Sequence, residues 1–260
     1  MRTNAVKQSL LDHTPTVGAW LTLGSPAVAE VMAHCGFDWL VIDLEHAPND
    51  PQSATEQLRA LGAARESGAR SEALIRIAEL DPVLVKRAMD IGCQSIIVPN
   101  VNTAEHAELA VQAMRFPDGE NGGRRGVAGL VRAGTYGLDP EYVNGANGQA
   151  CTIVQIESAE ALGNVEAIAA VDGVDCLFIG TADLSASLGL LGQPTHPVVR
   201  GGIARIIAAA RAEGKAVGAF AVSVDDARWY REQGAEFIAL HSDVAWLARG
   251  AMGAREELFA

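Results

Sequence analysis

The chain reads as an α/β protein whose strands close into a (β/α)8 TIM barrel, and three features carry that reading. Short apolar runs alternate with helix-length amphipathic segments from end to end. The runs show no strict in-and-out alternation, as expected of parallel strands covered on both faces. Eight such units within 260 residues match the size of a closed barrel. In GFDWL, GCQSI, GVDCL and GAEFI a glycine follows a helical segment, where a left-handed cap turns the chain into the next strand. An open doubly wound sheet is the competing architecture, but no GxGxxG opens its first helix.

In order, the units begin with VGAWL (17–21) and a helix over 26–35. WLVID (39–43) leads to 51–66, ALIR (73–76) to 82–91, and SIIVP (95–99) to 103–115. CTIVQIE (151–157) leads to 158–171, and CLFIG (176–180) to 183–189 and 197–213. AVGAFAV (216–222) leads to 224–234, and FIALH (237–241) to 243–258. No Pro- or Ser-rich linker interrupts the series, so residues 1–260 are expected to form a single barrel domain. The one irregular stretch, 116–150, is too long for a plain connector, and its glycines predict a lid-like excursion over the barrel mouth. Within it Arg124, Arg125 and Arg132 face either an anionic substrate or a neighbouring subunit, or are the surface arginines of an acidic protein.

A net charge of −12 speaks against nucleic acid and against an anionic membrane surface. No apolar run approaches the roughly 20 residues that span a bilayer. The start, MRTNAVKQSLLDHTPT, has no apolar signal core. Cys35, Cys93, Cys151 and Cys176 lack CxxC spacing and read as reduced core thiols, so a cytoplasmic protein is expected.

The most informative stretch is VIDLEHAPND (41–50), where an apolar strand ends abruptly in Asp43, Glu45 and His46. All strand C-termini of a barrel share one mouth. Trp20, Asp43, His46, Arg76, Gln155, Glu157, Gly180, Asp183 and His241 therefore converge there. Glu157 and Asp183, from separate strands, suit one hard divalent cation; the competing reading makes them caps of the helices that follow. The helix opening at Ala182 and Asp183 offers free N–H groups to a small carboxylate, and Arg76 adds a permanent positive charge. Together these would hold a 2-oxo acid and stabilise its enolate. Lys7, Lys86 and Lys215 lie before the barrel, on a helix and at the far end of a strand, so no lysine is placed for Schiff-base chemistry.

GFDWLVIDLEHAPND, DPVLVKRAMDIGCQSIIVPNVNTAEHAE, RRGVAG, VQIESAEALGNV and GVDCLFIGTADLSASLG strongly resemble the HpcH/HpaI aldolase family, the metal-dependent class II pyruvate aldolases. The resemblance implies a (β/α)8 barrel assembled as a hexamer, a trimer of dimers, with the last helix exchanged between subunits. It implies a divalent ion (Mg, Mn or Co) that serves the reversible cleavage of 4-hydroxy-2-oxo acids to pyruvate, or a close 2-oxo acid, and an aldehyde. Metal ligands fall on Glu157 and Asp183, and substrate contacts on Gln155 and the backbone at Ala182. His46 takes the acid/base place and Arg76 the transition-state place. The acid credited with raising the histidine's basicity matches Asp90, although Asp90 sits at the far end of its helix and Asp43 is the local rival. Thr181 stands where the family has proline, the segment before RRGVAG is longer, and Phe220 often corresponds to a leucine near the pyruvate methyl. His241 replaces a small or aliphatic residue and either touches the aldehyde or is a solvated strand-end histidine. Competing functions are an acyl-CoA lyase of the malyl-CoA type, whose phosphates only the 124–132 arginines could serve, and a noncatalytic metabolite-binding barrel.

Overall fold

A computed structural model describes residues 2–119 and 122–259, so Glu120 and Asn121 of the expected lid lie outside the described residues. All eight expected strands are present, with ends displaced by two residues at most. They are β1 Thr16–Leu21, β2 Trp39–Asp43, β3 Glu72–Arg76, β4 Ser95–Val98, β5 Cys151–Ile156, β6 Val174–Ile179, β7 Ala216–Ala221 and β8 Phe237–Ser242. Each pairs in parallel with its neighbour and β8 returns to β1, closing the barrel. The helices are α1 Ala5–Leu11, α2 Pro26–His34, α3 Pro51–Glu66, α4 Pro82–Asp90, α5 Ala104–Met114 and α6 Tyr142–Gln149. They continue as α7 Ala159–Gly163, α8 Val165–Ala169, α9 Thr181–Ser187, α10 Pro197–Ala212, α11 Val224–Gln233 and α12 Asp243–Phe259. Gly36, Gly92, Gly173 and Gly234 all have positive φ, as the repeated glycine stops require. The expected helix at 158–171 is broken at Asn164, whose side-chain amide donates to the carbonyl of Asn102 at 2.8 Å.

Burial is divided between two layers. Aliphatic side chains fill the shell between strands and helices. Inside the barrel Trp20, Trp39, Leu74, Ile153, Phe178 and Phe237 pack on one another, with Trp39 stacked on Phe237 at 3.9 Å between ring centres. Room for these rings comes from two glycines: a methyl on Gly18 would collide with the Trp39 indole, and one on Gly218 with Phe178.

The floor of the barrel is closed by α1, which the sequence pattern did not announce. Asn4 caps it by accepting from Lys7 N at 3.1 Å and donates its amide to Ser95 Oγ at 2.9 Å. Val6 and Leu10 join the interior cluster from below. Lys7 Nζ donates to the Ala150 carbonyl at 2.6 Å and pairs with Asp175 at 3.1 Å, so this lysine belongs to the floor.

The segment 116–150 does not cover the mouth of its own barrel, which corrects the expected lid. It joins the end of α5 to the start of β5, and a helix-to-strand connection emerges at the N-terminal face, opposite the mouth. There Arg125 Nη2 donates to Asp90 and to the Tyr142 hydroxyl, both at 2.7 Å, and Arg132 donates to the Ile91 carbonyl at 2.6 Å. Gln149 accepts from the Asn4 backbone N–H at 2.6 Å.

Among the described residues no helix is long and apolar enough to cross a membrane. Replacing Leu10 by Ala should open a void in the barrel floor and lower the unfolding free energy by about 2–4 kcal/mol, measured by denaturant titration. An unchanged midpoint would show that α1 does not share the core.

Candidate active site

The C-terminal ends of the strands surround a cavity of about 660 Å³. Its inner end is organised by Asp43 at the close of β2 and Arg76 at the close of β3, adjacent in register. Arg76 donates to both carboxylate oxygens of Asp43, Nε at 2.9 Å and Nη2 at 2.7 Å. Asp43 also accepts from the backbone N–H groups of Glu45 at 3.0 Å and His46 at 3.4 Å, which fixes the turn after β2. The same guanidinium holds Glu45 Oε2 at 2.9 Å through Nη1. Burial works against the charge on Arg76, but its bonds to Asp43 outweigh it and raise its pKa. The guanidinium lies 5.5 Å from the Trp20 ring centre. Trp20 meets Phe178 and the edge of Phe220, forming an apolar wall.

Opposite this pair stand the carboxylates of Glu157, just past β5, and Asp183, in the first turn of α9. Glu157 Oε1 accepts the Asn100 backbone N–H at 2.8 Å, and Glu157 Oε2 accepts from the Gln155 amide. Asn100 reaches this position with φ of 52°, a left-handed conformation that asparagine tolerates. Gly180 allows the approach of β6 to β5: a methyl there would sit 2.6 Å from Glu157 Cβ and 2.9 Å from Gln155 Nε2. Burial pushes the Glu157 carboxyl up to about 7; the Asn100 N–H opposes this, while Glu45 and Asp183 add to it. Glu45 is also raised, chiefly by burial and against the pull of Arg76.

Trp20, His46, Arg76, Gln155, Ala182, Asp183 and Phe220 all line one cavity, with Glu157 directly behind Gln155 and Gly180. His46 has a side chain 68% exposed, and its Nε2 lies 3.8 Å from Glu45 Oε1. Neither rival considered for tuning it touches the ring in this chain. Asp43 is committed to Arg76 and to backbone, and Asp90 lies at the end of α4 against Arg125. The neighbouring acid is Glu45, to which the sequence reading gave no role, although it stands beside His46 in DLEH. His241 does not line the cavity: its ring packs between Phe220 and Trp246, and burial lowers its pKa. Thr181 shares a buried hydrogen bond with the hydroxyl of Tyr230 from α11, which ties the start of α9 to its neighbour where proline was expected. That partner, and the outer-wall pair Arg200 and Trp229, had no signal in the sequence before the barrel was closed.

A divalent cation fits the donors present. Burial, with smaller contributions from the Glu45 and Asp183 charges, raises the proton affinity of Glu157, and among the described residues Gln155 Oε1 is buried with no partner. All of these donors are hard oxygens. Among the described residues no group of three or more His, Cys, Asp or Glu side chains is arranged to hold a metal, so water and substrate would complete its coordination.

The family model described as HpcH/HpaI aldolase/citrate lyase matches residues 16–249. The chain is 48% identical over 257 residues to the hydroxypyruvate/pyruvate aldolase of Paraburkholderia phytofirmans, covering 98% of each. It is 45% identical to the 4-hydroxy-2-oxovalerate aldolase of Rhodococcus jostii, covering 95% of this chain and 92% of that one. A crystal structure of an HpcH/HpaI aldolase/citrate lyase family protein from Burkholderia cenocepacia J2315 matches with a TM-score of 0.96 at 47% identity, over 99% of this chain and 100% of that one. Fold and relatives together define a carbon–carbon lyase of the aldolase type. The chain belongs to the HpcH/HpaI aldolase/citrate lyase family.

The raised Glu157 carboxyl gives a pH test. The folded protein holds this proton to about pH 7, whereas the unfolded chain releases it near 4.5, the ordinary value of a glutamate. Folding therefore takes up a proton between those values, and stability conferred by the neutral form is lost as pH rises through about 7. In chelator, unfolding midpoints should fall over this window, and Glu157→Gln should flatten the fall. The same slope in both proteins would remove Glu157 as its source.

Proposed function

We propose that this aldolase cleaves 4-hydroxy-2-oxo acids reversibly to pyruvate, or a close 2-oxo acid, and an aldehyde, with a divalent cation held by Glu157 and Asp183. The observation that carries the reading is the buried Glu157 carboxylate, within the electrostatic reach of Asp183, beside one buried, Asp43-held guanidinium at the barrel mouth. When bound, the cation (Mg, Mn or Co) supplies a Lewis acid for the oxo-acid oxygens.

The chain's own residues divide the rest of the work. Ala182 and Asp183, in the first turn of α9, line the cavity, and the N–H groups that a helix start leaves without intrahelical partners suit the substrate carboxylate. Gln155 orients the oxo acid from β5, and Trp20 with Phe220 walls off its C3 end from water. His46, exposed at the entrance, takes the proton from the 4-hydroxyl. The C3–C4 electron pair then passes to the oxo-acid fragment as C4 becomes the aldehyde carbonyl. Arg76, fixed at two points by Asp43, faces the negative oxygen that results. Reprotonation at C3 releases the 2-oxo acid. Glu45 Oε1, 3.8 Å from the imidazole Nε2, is the acid placed to orient the ring, while Asp90 can serve that role only across a subunit contact.

The acyl-CoA alternative loses its support, because Arg125 and Arg132 lie at the floor, bonded to Asp90, Tyr142 and Ile91. The relatives' names carry two nucleophiles, pyruvate and hydroxypyruvate, and the half-buried Phe220 is the ring against which a C3 substituent would be sized. A cytoplasmic hexamer is the assembly we infer, with α12 seated on a neighbouring subunit. In its own chain only Asp243 of α12 is buried, while Trp246, Leu247, Met252, Leu258 and Phe259 are exposed.

Pyruvate release from 4-hydroxy-2-oxo acids should vanish in chelator and in Glu157→Ala, and return to the wild type on adding Mg, Mn or Co. His46→Ala should lose about 10²–10⁴-fold in kcat, as removal of a general base does. Turnover that survives chelation would overturn the cation's part. The pair Trp246→Ser and Leu247→Ser should shift the particle mass measured by light scattering toward the monomer; an unchanged mass would remove α12 from the interface.

A further inference from the structure

The cavity extends outward beyond the catalytic groups, between the first turn of α10 and the loop from β7 to α11. At about 660 Å³ it exceeds what a three-carbon oxo acid fills, so its outer half is available to the aldehyde. One cation stands there. Arg200, half-buried on α10, lies with its guanidinium carbon 3.9 Å from the ring centre of Trp229 on α11. Among the described residues it has no acid within ion-pair distance. The acids nearby are engaged elsewhere: Asp225 pairs with Arg228 at 2.8 Å, and Asp226 accepts the Val222 backbone N–H at 3.1 Å. Burial raises the Asp226 pKa, while the Val222 N–H and the Arg200 charge act on it in the opposite direction.

We propose that Arg200, held flat on Trp229, binds an anionic group at the end of the aldehyde partner remote from its carbonyl, and so sets the electrophile class. The inference rests on the aldol reading given above. A guanidinium stacked on an indole keeps its face covered and turns its N–H edge sideways, the geometry that grips a carboxylate at two points. The indole shelf also limits the rotamers of the long side chain, so little freedom is lost when the anion arrives. Thr195 and Ser223, which also line this outer part, can donate hydroxyl hydrogens to the same group.

The test is aldol addition of pyruvate to 4-oxobutanoate and to butanal, equal in chain length and different in charge, with methyl-proton exchange of pyruvate followed in parallel. Wild type should favour 4-oxobutanoate, and salt should weaken the preference. Arg200→Gln should raise KM for 4-oxobutanoate by about 10–100-fold, the loss expected for a charge-assisted contact, and leave butanal and proton exchange unchanged. Arg200→Lys and Trp229→Leu should fall in between, on the anionic aldehyde alone. Equal losses on both aldehydes, or no loss on 4-oxobutanoate, would overturn the assignment. A wild type that exchanges pyruvate protons yet shows no charge preference overturns the anion site alone; one that neither exchanges nor condenses overturns the aldol reading beneath it as well.

Discussion

One guanidinium governs the electrostatics of the inner mouth. Arg76 answers Asp43 directly and Glu45 through an ion pair, and its field also reaches Glu157. Four carboxylates, those of Asp43, Glu45, Glu157 and Asp183, thus gather around one fixed cation. Asp43 neutralises that cation and orients it, and the other three remain undercompensated. Burial then drives Glu157 and Glu45 toward their neutral forms. Left to itself such a cluster is destabilising; the dication proposed for Glu157 and Asp183 would convert the repulsion into binding. The fold tolerates the arrangement because the strands that present it are locked by the aromatic and aliphatic interior.

Geometry below the surface decides how sharply that cluster is placed. Glu157 is held through Oε1 by the Asn100 N–H and through Oε2 by the Gln155 amide, and Gly180 leaves it no spare volume. Each of these contacts comes from a different strand end, β4, β5 or β6. Barrel register therefore sets the carboxylate position, with no loop required to close over it. Loops carry the exposed His46, whose access to solvent suits the acid/base role proposed for it.

The barrel itself was legible because buried parallel strands have no polar face to confuse the pattern: WLVID is apolar until Asp43, and the strand ends there. The four glycine stops were legible for a related reason, since no other residue takes their backbone conformation without strain. The seven-residue α1 was not. AVKQSLL buries only Val6 and Leu10, and what holds it are contacts to Ser95, Ala150 and Asp175, far away in sequence. The glycines of 116–150 suggest a mobile lid, but the segment's position between a helix and a strand assigns it to the floor. In the site, residues at strand ends could be found from the barrel alone. Arg200 and Trp229 lie on helices, and their meeting at 3.9 Å depends on how α10 packs beside α11.

The root of α12 joins this frame to whatever surrounds the chain. Asp243, its first residue, is buried and accepts from Thr22 N at 2.9 Å, Thr22 Oγ1 at 2.7 Å, Leu23 N at 3.1 Å and Val244 N at 2.7 Å. A carboxylate satisfied by four donors is a strong fastening, and it ties the helix to the end of β1, where Thr22 forms part of the cavity wall. Beyond that root the helix has no buried residue in its own chain. The root is therefore rigid relative to the active site, while the apolar body is directed outward at a defined angle. Any surface that covers the body is thereby registered against the mouth, so the same aspartate that ends the barrel also sets where a neighbour would stand with respect to the chemistry.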